Sequence, residues 1–319
     1  MQPPPTRRSL GETGPNRVQP NETEKGMDMP GIKIGDFQLS RVEEMDFPMA
    51  YAQTFFPEMT DEMLADIRSA IPPGHLTDDG KVIFSFHSYV VRTGRYNILI
   101  DTCCGNDKER PGRDHFSGLS TNYLDTLAAE GLQPEDVDFV MCTHLHWDHI
   151  GWNTRLINGE WVPTFPNAQV VMAKREYDFW NEAYASGAAS IHRNGFADSV
   201  MPIVRAEKAL LVADDYELDT GIWLEPCHGH SAGHVVVNLA SGDDRAVVTG
   251  DVIHHLSQLR IPDLSTMADT DTELARVNRK ALIEKHADTG NLVCTAHFKA
   301  PSVGRIASDG DGFKWDGVY

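Results

Sequence analysis

The chain has 319 residues, 41% of them hydrophobic and 24% charged, which are ordinary globular proportions and exclude collagen-like, fibrous and wholly disordered architectures. With 28 basic and 47 acidic residues the formal net charge is −19, a field that repels nucleic acid and anionic lipid, so neither is expected as a partner. No apolar run approaches the ~18 residues that a membrane-spanning helix requires.

Residues 1–30, rich in Pro, Glu, Asn, Gly and Arg without hydrophobic periodicity, are read as a disordered tail ahead of one domain over 31–319. Arg7-Arg8 is not followed by the apolar core of an export signal. The segment 45–73 mixes aromatics and methionines around a helix expected over Asp61–Ala70. It is read as core filler, with a flap over a pocket or a homodimer contact as the alternatives. Lys81–Ile100 holds two β-rich halves around Thr93-Gly94-Arg95, a hairpin signal. Helical spacing over Tyr123–Leu132 ends at Gly131, and 138–142 reads as a buried strand. Further strands are expected over 169–172, 223–225, 234–239, 246–249 and 291–295, with helices over 176–185 and 272–286. Strands followed by helices recur twice, which suggests a layered helix/sheet/sheet/helix domain.

The five cysteines, Cys103, Cys104, Cys142, Cys227 and Cys294, are odd in number and include no CxxC pair. They are read as reduced, packed thiols of a cytoplasmic protein. The chemistry is concentrated instead in Thr143-His144-Leu145-His146-Trp147-Asp148-His149, directly after the strand ending at Cys142. On a helix His144 and His146 would diverge, whereas in an extended turn they can aim at one point while Asp148 and His149 turn toward a second. Imidazole and carboxylate suit zinc, and also iron or manganese, so the motif reads as one arm of a two-metal site. Such a site needs further ligands. Candidates follow at strand ends in Gly229-His230-Ser231-Ala232-Gly233-His234, Gly250-Asp251 and Ala296-His297.

Together these motifs resemble the metallo-β-lactamase-fold hydrolase superfamily, over residues from about 31 to the end. The resemblance implies a four-layer αββα sandwich with two divalent ions at one edge. It assigns His144, His146 and His230 to the first ion, Asp148, His149 and His297 to the second, and Asp251 to both. His234, four residues beyond His230, could compete as the ligand, but the family's motif favours the first histidine and His234 is read as a supporting or strand residue. Two such ions can hold and activate a water between them, and Asp148 can orient the resulting hydroxide.

Within the superfamily, Asp251 sets the chain apart from class B β-lactamases, and intact His146 from flavodiiron proteins. The charge of −19 disfavours the polyanionic substrates of ribonuclease Z. Glyoxalase II and persulfide dioxygenases commonly carry a histidine where this chain has Leu145. The greatest similarity is to the branch of lactonases, esterases and methyl parathion hydrolase-like phosphotriesterases. It implies a small neutral lactone or carboxylic ester as substrate, with phosphotriesterase side activity. Trp147, Trp152 and Phe298 are expected to form an apolar mouth. Acyl-homoserine lactonases often have a tyrosine three residues after the bridging aspartate. Here His254 stands there, and it is assigned a catalytic role beside Asp148. His87, His115, His192 and His286 lack ligand-spaced partners and are read as structural or exposed, and 309–311 as a solvated turn. An iron-dependent persulfide-type dioxygenase and a non-catalytic ligand-binding member are the alternative functions.

Overall fold

Period-two alternation of apolar side chains explains the layering. In the computed structural model, which describes residues 31–187 and 190–319, strands β1 (Ile32–Ile34), β2 (Phe37–Tyr51), β3 (Lys81–Arg92), β4 (Asn97–Ile100), β5 (Phe139–Met141) and, beyond a small hairpin of β6 (Thr154–Ile157) and β7 (Glu160–Pro163), β8 (Gln169–Ala173) and β9 (Ala209–Val212) form one sheet in that spatial order. A second sheet follows in order with β10 (Glu217–Asp219), β11 (Ile222–Pro226), β12 (Val235–Ser241), β13 (Asp244–Val248), β14 (Leu292–Cys294), β15 (Val303–Asp309) and β16 (Gly312–Gly317). The disordered tail expected over 1–30 lies outside the described residues.

Ile98, Ile100, Met141 and Val171 of the first sheet pack between the sheets against Leu224, Val235, Val237, Leu239 and Val248 of the second. The alternate residues Leu99, Val140 and Val170 face outward into a core shared with Tyr123 and Leu127 of the helix Tyr123–Ala129. On the far side Val236, Val247 and Val293 meet Leu282 and Ile283 of the helix Thr272–His286. Strands apolar on both faces must be covered on both, and the four-layer αββα sandwich satisfies that requirement.

Strand directions gather the functional loops at one edge. Strands β4, β5 and β8 are parallel, so residues following each emerge on the same side. Strand β13 is parallel to β14 and antiparallel to β12, which places the loop entering β12 beside the loops leaving the other two. The long β2 shifts register at Glu44 and again at Met49. These bulges re-aim side chains locally. Glu44 reaches the loop after β4, accepting bonds from Cys104 N at 2.7 Å and Trp152 Nε1 at 2.7 Å.

Segment 45–73 is therefore partly strand, which its aromatics and methionines did not suggest. Phe55, Phe56, Met59 and Ile67 are core as expected, while Met49 and Phe55 also line a cleft. All five cysteines are buried and unbridged. Among the described residues no helix is long and apolar enough to cross a membrane. Leu239 is fully buried between the sheets. Leu239→Ala should lower stability by about 2–5 kcal/mol, read as a fall in denaturation midpoint at constant slope; an unmoved midpoint would show that the two sheets are not coupled there.

Candidate metal centre

Seven side chains from four loops converge at the edge just described. One potential ligand atom from each of His144, His146, His230 and Asp251 lies within 4.8 Å of the others, and the same holds for Asp148, His149 and His297. Asp251 faces both groups. Its Oδ1 is 3.1 Å from Nε2 of His149 and 3.1 Å from Nε2 of His297, while its Oδ2 is 3.3 Å from His230 Nε2 and 3.8 Å from His144 Nε2. His297 Nε2 is 3.8 Å from Asp148 Oδ2. Ligand atoms on a tetrahedral ion with bonds of ~2.0–2.1 Å sit roughly 3.3 Å apart, so these spacings suit a shared cation.

The outer nitrogens show which electrons face inward. His149 Nδ1 donates to Asp101 Oδ2 at 2.9 Å and His230 Nδ1 to Asp269 Oδ1 at 3.0 Å. His297 Nδ1 lies 3.3 Å from the Ser85 carbonyl and His144 Nδ1 3.1 Å from Thr143 Oγ1. With Nδ1 protonated, a neutral imidazole presents a lone pair at Nε2. His149 and His297 then point lone pairs at each other across 3.3 Å. His144 Nε2 and Asp251 Oδ1 are buried without a hydrogen-bond partner. Orphaned acceptors of this kind demand a cation or a proton, and the donor set fits two divalent ions.

Electrostatics agree with a site built for positive charge. Burial disfavours protonation of His149, yet Asp251 and Asp101 hold its pKa well above the ordinary value, so a proton takes the Nε2 position unless a cation does. Burial pushes the Asp251 carboxyl upward, but the surrounding histidines, His149 first, keep it well below the usual carboxylate range. Burial drives His144 and His146 well down, leaving both neutral.

Supporting residues fix each arm. Asp101 adopts a left-handed backbone with φ 55°, a conformation that costs roughly 1–2 kcal/mol. It is retained because the carboxylate also accepts from Thr143 N and Oγ1, each at 2.8 Å. Glu176, at the start of the helix Lys174–Ala185, joins the two histidine loops. One oxygen accepts from Leu145 N at 3.0 Å, the other from Ser231 Oγ at 2.8 Å and Gly233 N at 2.7 Å. His234 Nε2 accepts from the Asp251 backbone N at 3.0 Å and so lies behind that carboxylate. Gly250, with φ +50°, cannot be replaced freely, because a Cβ would stand 2.6 Å from His234 Nε2.

A cleft of about 170 Å³ opens over the ligands, walled by Met49, Phe55, Phe84, Trp147 and Met267 and also by Arg113, His192 and His254. His254 is buried, with Nε2 3.1 Å from Asp251 Oδ2. It packs against Phe55 and Phe84 at centroid distances of 5.6 and 6.2 Å. Two expectations about the mouth need correction. Trp152 stacks on Tyr123 at 5.2 Å and Phe298 packs on Trp315 at 5.2 Å, so both are core and only Trp147 faces the cleft.

The sequence reading also missed Asp101, Asp269 and Glu176, and it left His192, which lines the cleft, as structural or exposed. Asp101 carried a signal, an acidic residue closing a strand beside the histidine motif. Asp269 lies among several other aspartates, and His192 has no spaced partner, yet its ring is 4.2 Å from that of His146. His115 is exposed, as expected, and 309–311 forms the turn between β15 and β16.

Residues 86–297 match the metallo-beta-lactamase superfamily, and the chain belongs to that family. The N-acyl homoserine lactonase AiiA of Bacillus thuringiensis subsp. kurstaki is 25% identical over 235 residues, covering 69% of this chain and 82% of the relative. Two solved structures share the fold. Hydrolase AbOPH of the beta lactamase superfamily superposes with a TM-score of 0.74 at 23% identity, over 90% of this chain and 96% of its own. AidC, a dizinc quorum-quenching lactonase in complex with a homoserine product, has a TM-score of 0.73 at 23% identity, over 92% and 99%.

Asp269 anchors the His230 ring from outside. Asp269→Ala is expected to weaken divalent metal retention about 10–100-fold in chelator competition; unchanged retention would mean that the anchor does not tune the site.

Proposed function

We propose that the chain is a dinuclear metal hydrolase that opens a lactone or cleaves a carboxylic ester. The observation that carries this reading is the division of the Asp251 carboxylate between two groups of inward-facing ligands. The lactonase relative and the lactonase of the same fold support a lactone as the substrate. The proposed ligands are His144, His146 and His230 for one ion, Asp148, His149 and His297 for the other, and Asp251 for both, with zinc as the leading metal. When bound, the ions supply Lewis acidity toward a carbonyl oxygen and a nucleophilic water near neutral pH.

The chain's own groups supply orientation. Asp148 lines the cleft and is the least buried of the three groups in the second set, where its carboxylate accepts a proton from the attacking water and later releases it toward the leaving oxygen. Burial lowers the His254 pKa, so its imidazole stays neutral and donates an N–H to the substrate carbonyl. Phe55, Phe84 and Met49 exclude bulk water from the reacting end, which strengthens these polar interactions. No serine or cysteine nucleophile is needed, and the buried cysteines are unsuited to the role. Burial pushes Cys142 and Cys103 above the ordinary thiol range.

Removing metal with a chelator should abolish hydrolysis of homoserine lactones and chromogenic esters, and added zinc or manganese should restore it. Asp148→Ala should remain about 10²–10⁴-fold slower after metal is restored. Full activity without metal, or oxygen consumption by an iron-loaded protein in place of hydrolysis, would contradict the proposal.

A further inference from the structure

The cleft wall contains one cation among the described residues, Arg113, in a protein whose net charge is −19. Its guanidinium is exposed and has no ion-pair or hydrogen-bond partner among the described residues. An exposed arginine is ordinary by itself, but the loop that presents this one is unusually fixed.

Arg113 N donates to the Arg110 carbonyl at 2.9 Å, and the Arg113 carbonyl accepts from Phe116 N at 2.8 Å. On either side of this turn the chain is anchored in the interior. The fully buried Arg110 pairs with Asp198 Oδ2 at 2.6 Å. Fully buried Lys108 bonds Thr154 Oγ1 at 2.6 Å and lies 3.6 Å over the Trp161 ring. Phe116 packs on Trp147 at 4.8 Å. Burying Arg110 and Lys108 beside one carboxylate is costly in desolvation, and its effect here is to fix the turn that presents Arg113 to a cleft lined also by histidines, Asp148 and Asp251.

His192 stands in the same wall. Its Nδ1 is buried without a partner. The two segments are tied together, since Asn194 Nδ2 donates to the Glu109 carbonyl at 3.3 Å. Arginine presents planar paired donors that match a carboxylate, and an imidazole N–H can add one further donor.

We propose that Arg113 and His192 form a second binding point for the substrate, one that takes a carboxylate at the end remote from the bond being broken. This rests on the hydrolase reading above. It replaces the neutral substrate expected from the sequence with one that has an apolar body and an acidic far end.

The test compares two esters that differ by one terminal carboxyl group, 4-nitrophenyl butyrate and the mono-4-nitrophenyl ester of glutarate, on the metal-loaded protein. Arg113→Gln should lower kcat/KM for the glutarate ester by about tenfold or more, chiefly through KM, the loss expected for a hydrogen bond to a charged group. The butyrate ester should change by less than about twofold, and Arg113→Glu should reverse the preference for the charged ester. Calorimetric titration of glutarate reads the same contact without turnover and should show a matching loss of affinity in Arg113→Gln. Equal losses for both esters, or glutarate affinity unchanged by the substitution, would overturn the binding point. Absence of hydrolysis with the glutarate contact intact would overturn the hydrolase reading alone.

Discussion

The arrangement depends on one electrostatic constraint, the crowding of inward-facing lone pairs around the Asp251 carboxylate. His149 and His297 approach each other with Nε2 atoms 3.3 Å apart, and Oδ1 of Asp251 lies 3.1 Å from each of them. Lone pairs at these distances repel unless positive charge lies between them. The protein cannot relieve the repulsion by turning the rings, because carboxylates, a hydroxyl and a carbonyl outside the cluster hold the other nitrogens. Positive charge, from a cation or a proton, is thus part of the balance that makes the edge stable.

Holding ligands in such an arrangement requires a frame stronger than the repulsion. The interdigitated layer between the sheets supplies it, and the loops carry only short spans from it to the ligands. Glu176 illustrates the economy of the design, joining the loop after β5 to the loop before β12 with four accepted bonds that include one from Trp180 Nε1 at 2.7 Å. Glu44 does the same for the loop after β4. Neither carboxylate faces the cleft, yet both determine where its walls and ligands stand. Local strain at Asp101 is retained for the same reason, since relaxing its backbone would release Thr143 and His149 together.

Much of the frame was legible in the sequence because burial on two faces leaves a simple signature. Short apolar runs ending in histidine or aspartate marked β5, β13 and β14, and the helices over Asp61–Ala70 and 272–286 have the boundaries that their periodicity suggested. The convergence of seven residues scattered from 144 to 297 was legible because each sits at a strand end, and parallel strands send those ends to one side. What escaped was the layer of residues that orient others. Glu176, Asp269 and Asp101 are individually ordinary acids, and only three-dimensional contact separates them from the 44 other acidic residues of the chain. Trp152 and Phe298 misled for the converse reason. Adjacency to a ligand in sequence does not determine which way an aromatic ring turns, and both rings turn inward to the core. The strand character of β2 was hidden by Pro48, tolerated where β1, paired only to residues 37–39, no longer covers that edge.

The most direct measurement of the central claim is anomalous diffraction at the metal absorption edge from crystals of the metal-loaded protein. Two peaks roughly 3.5–4 Å apart, flanking Asp251 with one among His144, His146 and His230 and the other among Asp148, His149 and His297, are the predicted result. A single peak, or metal bound away from Asp251 while these side chains keep their positions, would contradict it.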